Sequence, residues 1–313
     1  MLRISVITPT LNRRKFIKQA LDSVSRQGYP ELEHIVVDDG STDGTVEFIE
    51  NYSAENPHVK LLKSKASFSH QVNVGLRNSK GDVLVYLADD DLLADGLFYT
   101  LADVFESQPE LDVVSGGVAI FRGDDISNIV KIVYPEFSYR GLVLHSAYES
   151  SRFVRRKVIH KVGVLDERYG AAAHREWLLR MLVQRLNFTY VKRICYYARE
   201  HELSGSLKSD VFKHLAFTID HLDIWRRYLT VHSKKLDESA QAIIRQRAYR
   251  DALWGTRLAL KKRDYKLALR HVKYGTLIFP HFPLTLLKHG AKSLGRRTIE
   301  RLQNRQKAKK VLP

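Results

Sequence analysis

Short apolar runs alternate with helical stripes through the first half of the chain. Ile4 to Thr8, His34 to Val37, Val59 to Leu62, Val83 to Leu87 and Val113 to Phe121 are β-rich and have the length of buried strands. Between them, Lys15 to Gln27, Thr45 to Tyr52, Gln71 to Arg77 and Leu97 to Gln108 repeat apolar residues at helical spacing. This alternation predicts an α/β fold: a mainly parallel twisted sheet with helices on both faces. Ligands of such sheets bind outside the carboxyl ends of the strands. Three polar loops fall there: Thr8-Pro9-Thr10-Leu11-Asn12, Asp38-Asp39-Gly40-Ser41 and Asp89-Asp90-Asp91. All three are expected to face one crevice.

From about residue 207 the pattern becomes purely helical. Val211, Phe212, Leu215, Ile219, Leu222, Trp225 and Leu229 recur at helical spacing, and similar stripes run from Ala240 to Leu260. Asp264 is placed to cap a further helix through Leu267, Leu269 and Val272. After the break Pro280-His281-Phe282-Pro283, a last basic helix is expected from Leu284 to about Lys307. Charge divides at the same place. Residues 1–206 hold 26 Lys and Arg against 27 Asp and Glu, whereas residues 207–313 hold 25 against 8. Two parts with different jobs follow: a domain over 1–206 and a basic helical extension over 207–313.

One cysteine, Cys195, rules out an internal disulfide and fits a reducing compartment. The opening MLRISVITPT starts as a strand, without the regions of a signal peptide, and no apolar run is long enough to span a bilayer. A cytoplasmic protein is expected.

The acidic triplet is the strongest chemical signal. Three consecutive carboxylates repel one another unless a cation offsets them, and hard oxygen ligands suit Mg²⁺ or Mn²⁺. The competing reading is a solvated acidic turn that caps the next helix. Of Asp38 and Asp39, one is expected to close the turn before Gly40 and the other to accept a hydrogen bond from a base N–H.

Taken together, these segments resemble family 2 glycosyltransferases of the GT-A fold. The resemblance runs through Ser5 to Arg13, Ile35 to Thr45, Gln71 to Leu76, Lys80 to Val83 and the acidic triplet. It continues through Phe153 to Lys157, Val162 to Glu167 and Glu176 to Arg180, covering about residues 3–206. It implies an inverting transfer of a sugar from a nucleotide diphosphate donor, expected to be a UDP-sugar with GDP- and dTDP-sugars as alternatives, onto an acceptor hydroxyl. The product would be a surface polysaccharide or glycolipid. The resemblance assigns donor binding to Thr8, Pro9, Thr10, Leu11, Asp39, Asn73, Asp89 and Asp90. It assigns Asp90, Asp91 and His201 to a Mn²⁺ or Mg²⁺ ion. For His201 the alternative is a plain surface-loop histidine.

Departures from the family pattern matter as much. Leu11 replaces an aromatic that stacks on the base, Ala88 replaces a frequent Asp, and Asp95 replaces a usual Pro. His174 stands where the family's general base is typically Asp. On a helix at 100° per residue, His174 shares the apolar face of Trp177, Leu178 and Met181. Glu176 falls with Arg180 and Gln184 on the opposite, polar face, where an i, i+4 pair is ordinary surface stabilisation. His174 is therefore the expected base, the alternative being a merely structural buried histidine.

The basic tail has three readings: a solvated helical bundle, a binder of anionic membrane, or a binder of nucleic acid. Arg296, Arg297, Arg301, Arg305, Lys307, Lys309 and Lys310 follow the apolar stretch Phe282 to Leu287. No nucleic-acid module is recognisable. The membrane reading fits a sugar transferase best, with the protein peripheral on the inner face of the cell membrane. Of the rivals, a sugar-phosphate nucleotidyltransferase lacks its Gly-rich loop here. A non-catalytic nucleotide-sugar-binding or scaffold protein with a degenerate site is kept open by the His174 substitution.

Overall fold

The computed structural model describes residues 1–65, 67–145, 149–201 and 213–287. The chain separates into two compact units, Met1–Asp210 and Val211–Pro313.

In the first unit the elements follow in the order β1 (Ile4–Thr10), α1 (Ile17–Ser25), β2 (Leu32–Asp38), α2 (Thr45–Glu55), β3 (Val59–Lys63), α3 (Phe68–Asn78) and β4 (Val83–Tyr86). Next come β5 (Leu92–Leu93), α4 (Leu97–Ser107), β6 (Val113–Arg122), β7 (Ile129–Val133), α5 (Tyr139–Leu144), β8 (Arg152–Arg155), α6 (Lys157–Val162), α7 (Ala173–Val183) and β9 (Phe188–Glu200). All nine strands form one sheet, ordered β3-β2-β1-β4-β8-β6-β9-β5, with β7 paired to β6. The β3-β2-β1-β4 half is parallel, as expected from the β-α alternation. Beyond β4 the sheet is mixed: β8 enters antiparallel to β4 and β6, while β9 runs parallel to β6.

The first four strands and first helices lie where the hydrophobic pattern puts them. β1 and β2 are buried almost throughout, as a strand covered on both faces must be. Gly75 on α3 lets that helix close on β1, since a Cβ there would stand 2.4 Å from Ile7. The main core gathers Val6, Val85, Phe98, Phe105, Val114 and Phe153, among others, between the sheet and α4.

The second unit holds α8 (Lys213–Thr230), α9 (Glu238–Lys261) and α10 (Tyr265–Ile278), which pack on one another. Leu215, Ala259 and Ala268 form the centre of their contact. A polar hub lies beside it: His271 Nε2 is 2.6 Å from Thr218 Oγ1, over the close packing space left by Gly255. Asp264 caps α10 as expected, accepting from the Leu267 N–H at 2.9 Å. The last basic helix expected from Leu284 lies outside the described residues beyond position 287. Among the described residues no helix is long and apolar enough to cross a membrane.

The surface role expected of Glu176 is corrected. Its side chain is buried, with Oε2 accepting from Arg180 Nε at 2.9 Å. The Arg180 guanidinium also donates to the Val162 and Val164 carbonyls. The pair ties α7 to the end of α6 instead of decorating a wet face. Glu176→Gln is expected to destabilise the protein by about 2–3 kcal/mol, because it leaves a partly buried guanidinium without its anion. Urea unfolding with unchanged slope and a lower midpoint would show this. A midpoint equal to that of the parent would return the pair to surface decoration.

Candidate active site

The three loops at the carboxyl ends of β1, β2 and β4 are stitched together. Asp38 closes the second loop: its Oδ2 accepts from the N–H groups of Gly40 at 2.7 Å and Ser41 at 3.0 Å. Gly40 sits at φ +94°, a conformation that favours glycine. Of the two aspartates, Asp38 is therefore the turn residue. Asp39 is half-buried beside the first loop and donates its N–H to the Thr10 carbonyl at 3.1 Å. Asn12 joins the same two loops, donating its N–H to the Ser41 hydroxyl oxygen and accepting from the Thr42 N–H at its side-chain oxygen.

The acidic triplet closes the third side. Arg13 donates to Asp89 Oδ1 at 3.2 Å. Burial pushes the Asp89 carboxyl up to about 7, the neighbouring Asp90 adds to the effect, and Arg13 opposes it. Burial and Asp90 also drive Asp91 well above the ordinary carboxylate range. Asp91 is fixed from β9: Oδ2 accepts from the Tyr196 hydroxyl at 2.8 Å and Oδ1 from the Arg199 N–H at 2.7 Å. The Arg199 side chain, buried against Phe16 and Phe121, donates to the Asp90 carbonyl at 2.8 Å. His201 Nε2 lies 2.9 Å from Asp90 Oδ2, and its ring packs 4.3 Å from Phe16.

These residues fit a divalent ion. Asp89 and Asp91 are biased towards protonation first by burial and then by Asp90, and a bound cation would favour their ionised forms. Adjacent ligands of an octahedral ion with bonds of about 2.1 Å stand about 3 Å apart, close to the Asp90–His201 spacing. Among the described residues no group of three or more His, Cys, Asp or Glu side chains is set to enclose a metal.

The structure does not bring every expected residue to this cluster. Thr8 is buried and its hydroxyl pairs with His34 Nε2 at 2.9 Å, between β1 and β2. Pro9 and Thr10 continue the buried strand, with Pro9 in register with Val37. Leu11 alone of that loop's apolar residues reaches solvent, at 44% exposure. Asn73 makes its bonds elsewhere. Its amide bonds both the N–H and the carbonyl of Leu165 and the Glu167 carboxylate, so it buttresses the loop before α7. His174 is 3% exposed, with its ring 4.6 Å from Tyr86 and 5.4 Å from Phe68. It lines a cavity of about 20 Å³ with Val72, Leu165 and Trp177, beneath the sheet end.

Arg13, Tyr196 and Arg199 were not assigned from sequence. Arg13 stands within the first motif, and a lone Arg after Tyr196-Tyr197-Ala198 is the signal that could have marked Arg199.

The glycosyl transferase family 2 model matches residues 5–163. The chain is 29% identical over 160 residues to GalNAc(5)-diNAcBac-PP-undecaprenol beta-1,3-glucosyltransferase of Campylobacter jejuni, covering 50% of this chain and 49% of that protein. It is 35% identical over 97 residues to poly(ribitol-phosphate) beta-N-acetylglucosaminyltransferase TarS of Staphylococcus aureus, covering 30% of this chain and 17% of that one. These matches thus span about half or less of the relatives' length. The fold is similar to TarS residues 1–349 in complex with UDP-GlcNAc, with a TM-score of 0.54 at 16% identity over 91% of this chain and 92% of that one. It is also similar to the mannosyltransferase PcManGT of Pyrobaculum calidifontis in complex with GDP-Man and Mn²⁺, with a TM-score of 0.53 at 18% identity over 91% and 87%. With a GT-A-like sheet and a family match across half its length, the chain belongs to glycosyl transferase family 2.

Proposed function

We propose that this protein is an inverting glycosyltransferase that moves a sugar from a UDP-sugar to an acceptor hydroxyl in surface polysaccharide or glycolipid synthesis. The observation that carries the proposal is the first loop, Thr10 to Arg13, bonded to the Asp39 loop on one side and to Asp89 of the acidic triplet on the other, with His201 beside Asp90. The Campylobacter relative's name, which specifies a lipid-linked glycan, supports a glycolipid acceptor. The UDP-GlcNAc complex of TarS supports the donor class.

In this reading Leu11 flanks the base at the rim, offering less stacking area than an aromatic would. Asp39 accepts from the base N–H. Asp90, Asp91 and His201 would hold Mn²⁺ or Mg²⁺, which would offset charge on the leaving diphosphate. Tyr196 and Arg199 hold Asp91 in place for that task. His174 takes the acceptor proton. The enclosure of its ring favours a second reading, a nucleotide-sugar-binding protein without turnover. The seven basic residues from Arg296 to Lys310 lie outside the described residues, and their attraction to an anionic membrane rests on charge alone.

Donor binding is tested by thermal shift across UDP-, GDP- and dTDP-sugars with Mn²⁺, Mg²⁺ or EDTA. A ligand bound at 100 times its Kd stabilises the native state by about 2.7 kcal/mol. A metal-dependent shift with a UDP-sugar is expected. No shift with any nucleotide sugar would end both readings.

A further inference from the structure

The outer face of α10 combines two features that seldom share an exposed surface. Tyr265, Leu269 and Leu277 are 62%, 70% and 56% exposed. At 100° per residue they fall within one arc together with Lys266, Arg270 and Lys273, which are also exposed. The buried side of the helix, Ala268, His271 and Gly275, lies opposite and packs within the bundle. No acidic residue occurs within α10; Asp264, next to it in sequence, is spent as its cap, and Asp220 of α8 lies near enough to Arg270 to interact with its charge. Leu284 and Leu287 continue the exposed apolar surface just beyond the helix. On α9, Trp254 is likewise exposed in an arc with Arg250, Arg257 and Lys261.

We propose that the outer face of α10 docks onto an anionic lipid bilayer, with Tyr265, Leu269 and Leu277 entering the interface and Lys266, Arg270 and Lys273 meeting headgroup phosphates. Charge decides among occupants. A second copy of a region holding 25 basic against 8 acidic residues would be repelled. A nucleic-acid backbone would engage the lysines but leave the large aliphatic side chains wet. Only a bilayer surface satisfies both sets at once, the aliphatic groups in the acyl boundary and the cations at the phosphates. Tyr and Trp rings suit that boundary because one edge is apolar and the other polar. The inference extends the membrane reading of the C-terminal region to a described surface. It is independent of the chemistry assigned to the acidic cluster.

The test is flotation of the full chain with vesicles of neutral lipid alone or of neutral lipid with one third phosphatidylglycerol. Wild-type protein is expected to float with the acidic vesicles and to be released as salt rises. The double variant Leu269→Glu, Leu277→Glu is expected to bind about tenfold more weakly. These side chains are already exposed, so its unfolding midpoint should match the parent's. Lys266→Gln, Arg270→Gln, Lys273→Gln is expected to be released at lower salt than the parent, the basic residues beyond position 287 keeping the rest of the salt-sensitive part. Equal flotation of the leucine variant and the parent would overturn the proposal. So would a parent dimer that the leucine variant converts to monomer without change in vesicle binding. UDP-sugar thermal shifts measured on the same samples keep a failure of this surface separate from a failure of the donor site.

Discussion

His174→Phe is expected to lower sugar transfer by about 10²–10⁴-fold while leaving the fold nearly as stable as the parent. The imidazole sits in an aromatic and aliphatic wall formed with Phe68, Tyr86 and Trp177. A phenyl ring keeps that packing, and the cavity of about 20 Å³ beside it takes up part of the added volume. What the substitution removes is any atom able to accept a proton. A base acts on the acceptor hydroxyl, so kcat should fall with little change in donor affinity. Unchanged turnover would make His174 a packing residue. A fall in turnover matched by a fall in unfolding midpoint would trace the loss to folding instead.

Asp90→Asn is expected to lower turnover by about 10²–10³-fold, the usual effect of removing one charge-stabilising group. It should also abolish the extra thermal shift that Mn²⁺ adds to the donor. Stability without metal should move the other way. The Asp90 charge helps drive both Asp89 and Asp91 towards protonation, so removing it relieves repulsion within the triplet. A variant that is less active and more stable is characteristic of a site that stores unfavourable charge for function. An inactive variant that is also less stable would mean that the triplet is a structural turn.

The parallel half of the sheet was legible because β1, β2 and β4 are largely buried and are rich in Val, Ile and Leu. β9 was not legible. Lys192 and Arg193 interrupt its pattern, and the register shifts against β6 near Gly117 break the period of two that identifies a strand. β7 is exposed along most of its length, so burial leaves little imprint on its sequence.

The site shows the same division. Carboxylates at strand ends announced the crevice, but sequence alone could not say which oxygens remain for a ligand. Asp38 and Asp39 are chemically identical neighbours, and only the turn reveals which one is consumed. Asn73 belongs to a recognisable motif yet serves a loop about 90 residues away in sequence, a partnership no local pattern encodes. Face arithmetic misplaced Glu176 because it assumes one dry side. α7 packs against α5, α6 and the turn before it, so its polar residues are enclosed as well.

The central claim, that the acidic cluster supports metal-dependent sugar transfer, is tested most directly by release of UDP from UDP-sugars by the full chain. The assay is run with acceptor lipid or glycan extract, in Mn²⁺, Mg²⁺ or EDTA. The account predicts release above background with at least one UDP-sugar, loss in EDTA, restoration by added Mn²⁺, and near-absence in Asp90→Asn. UDP-sugar binding without release under any metal would contradict it and leave a binding protein on a transferase fold.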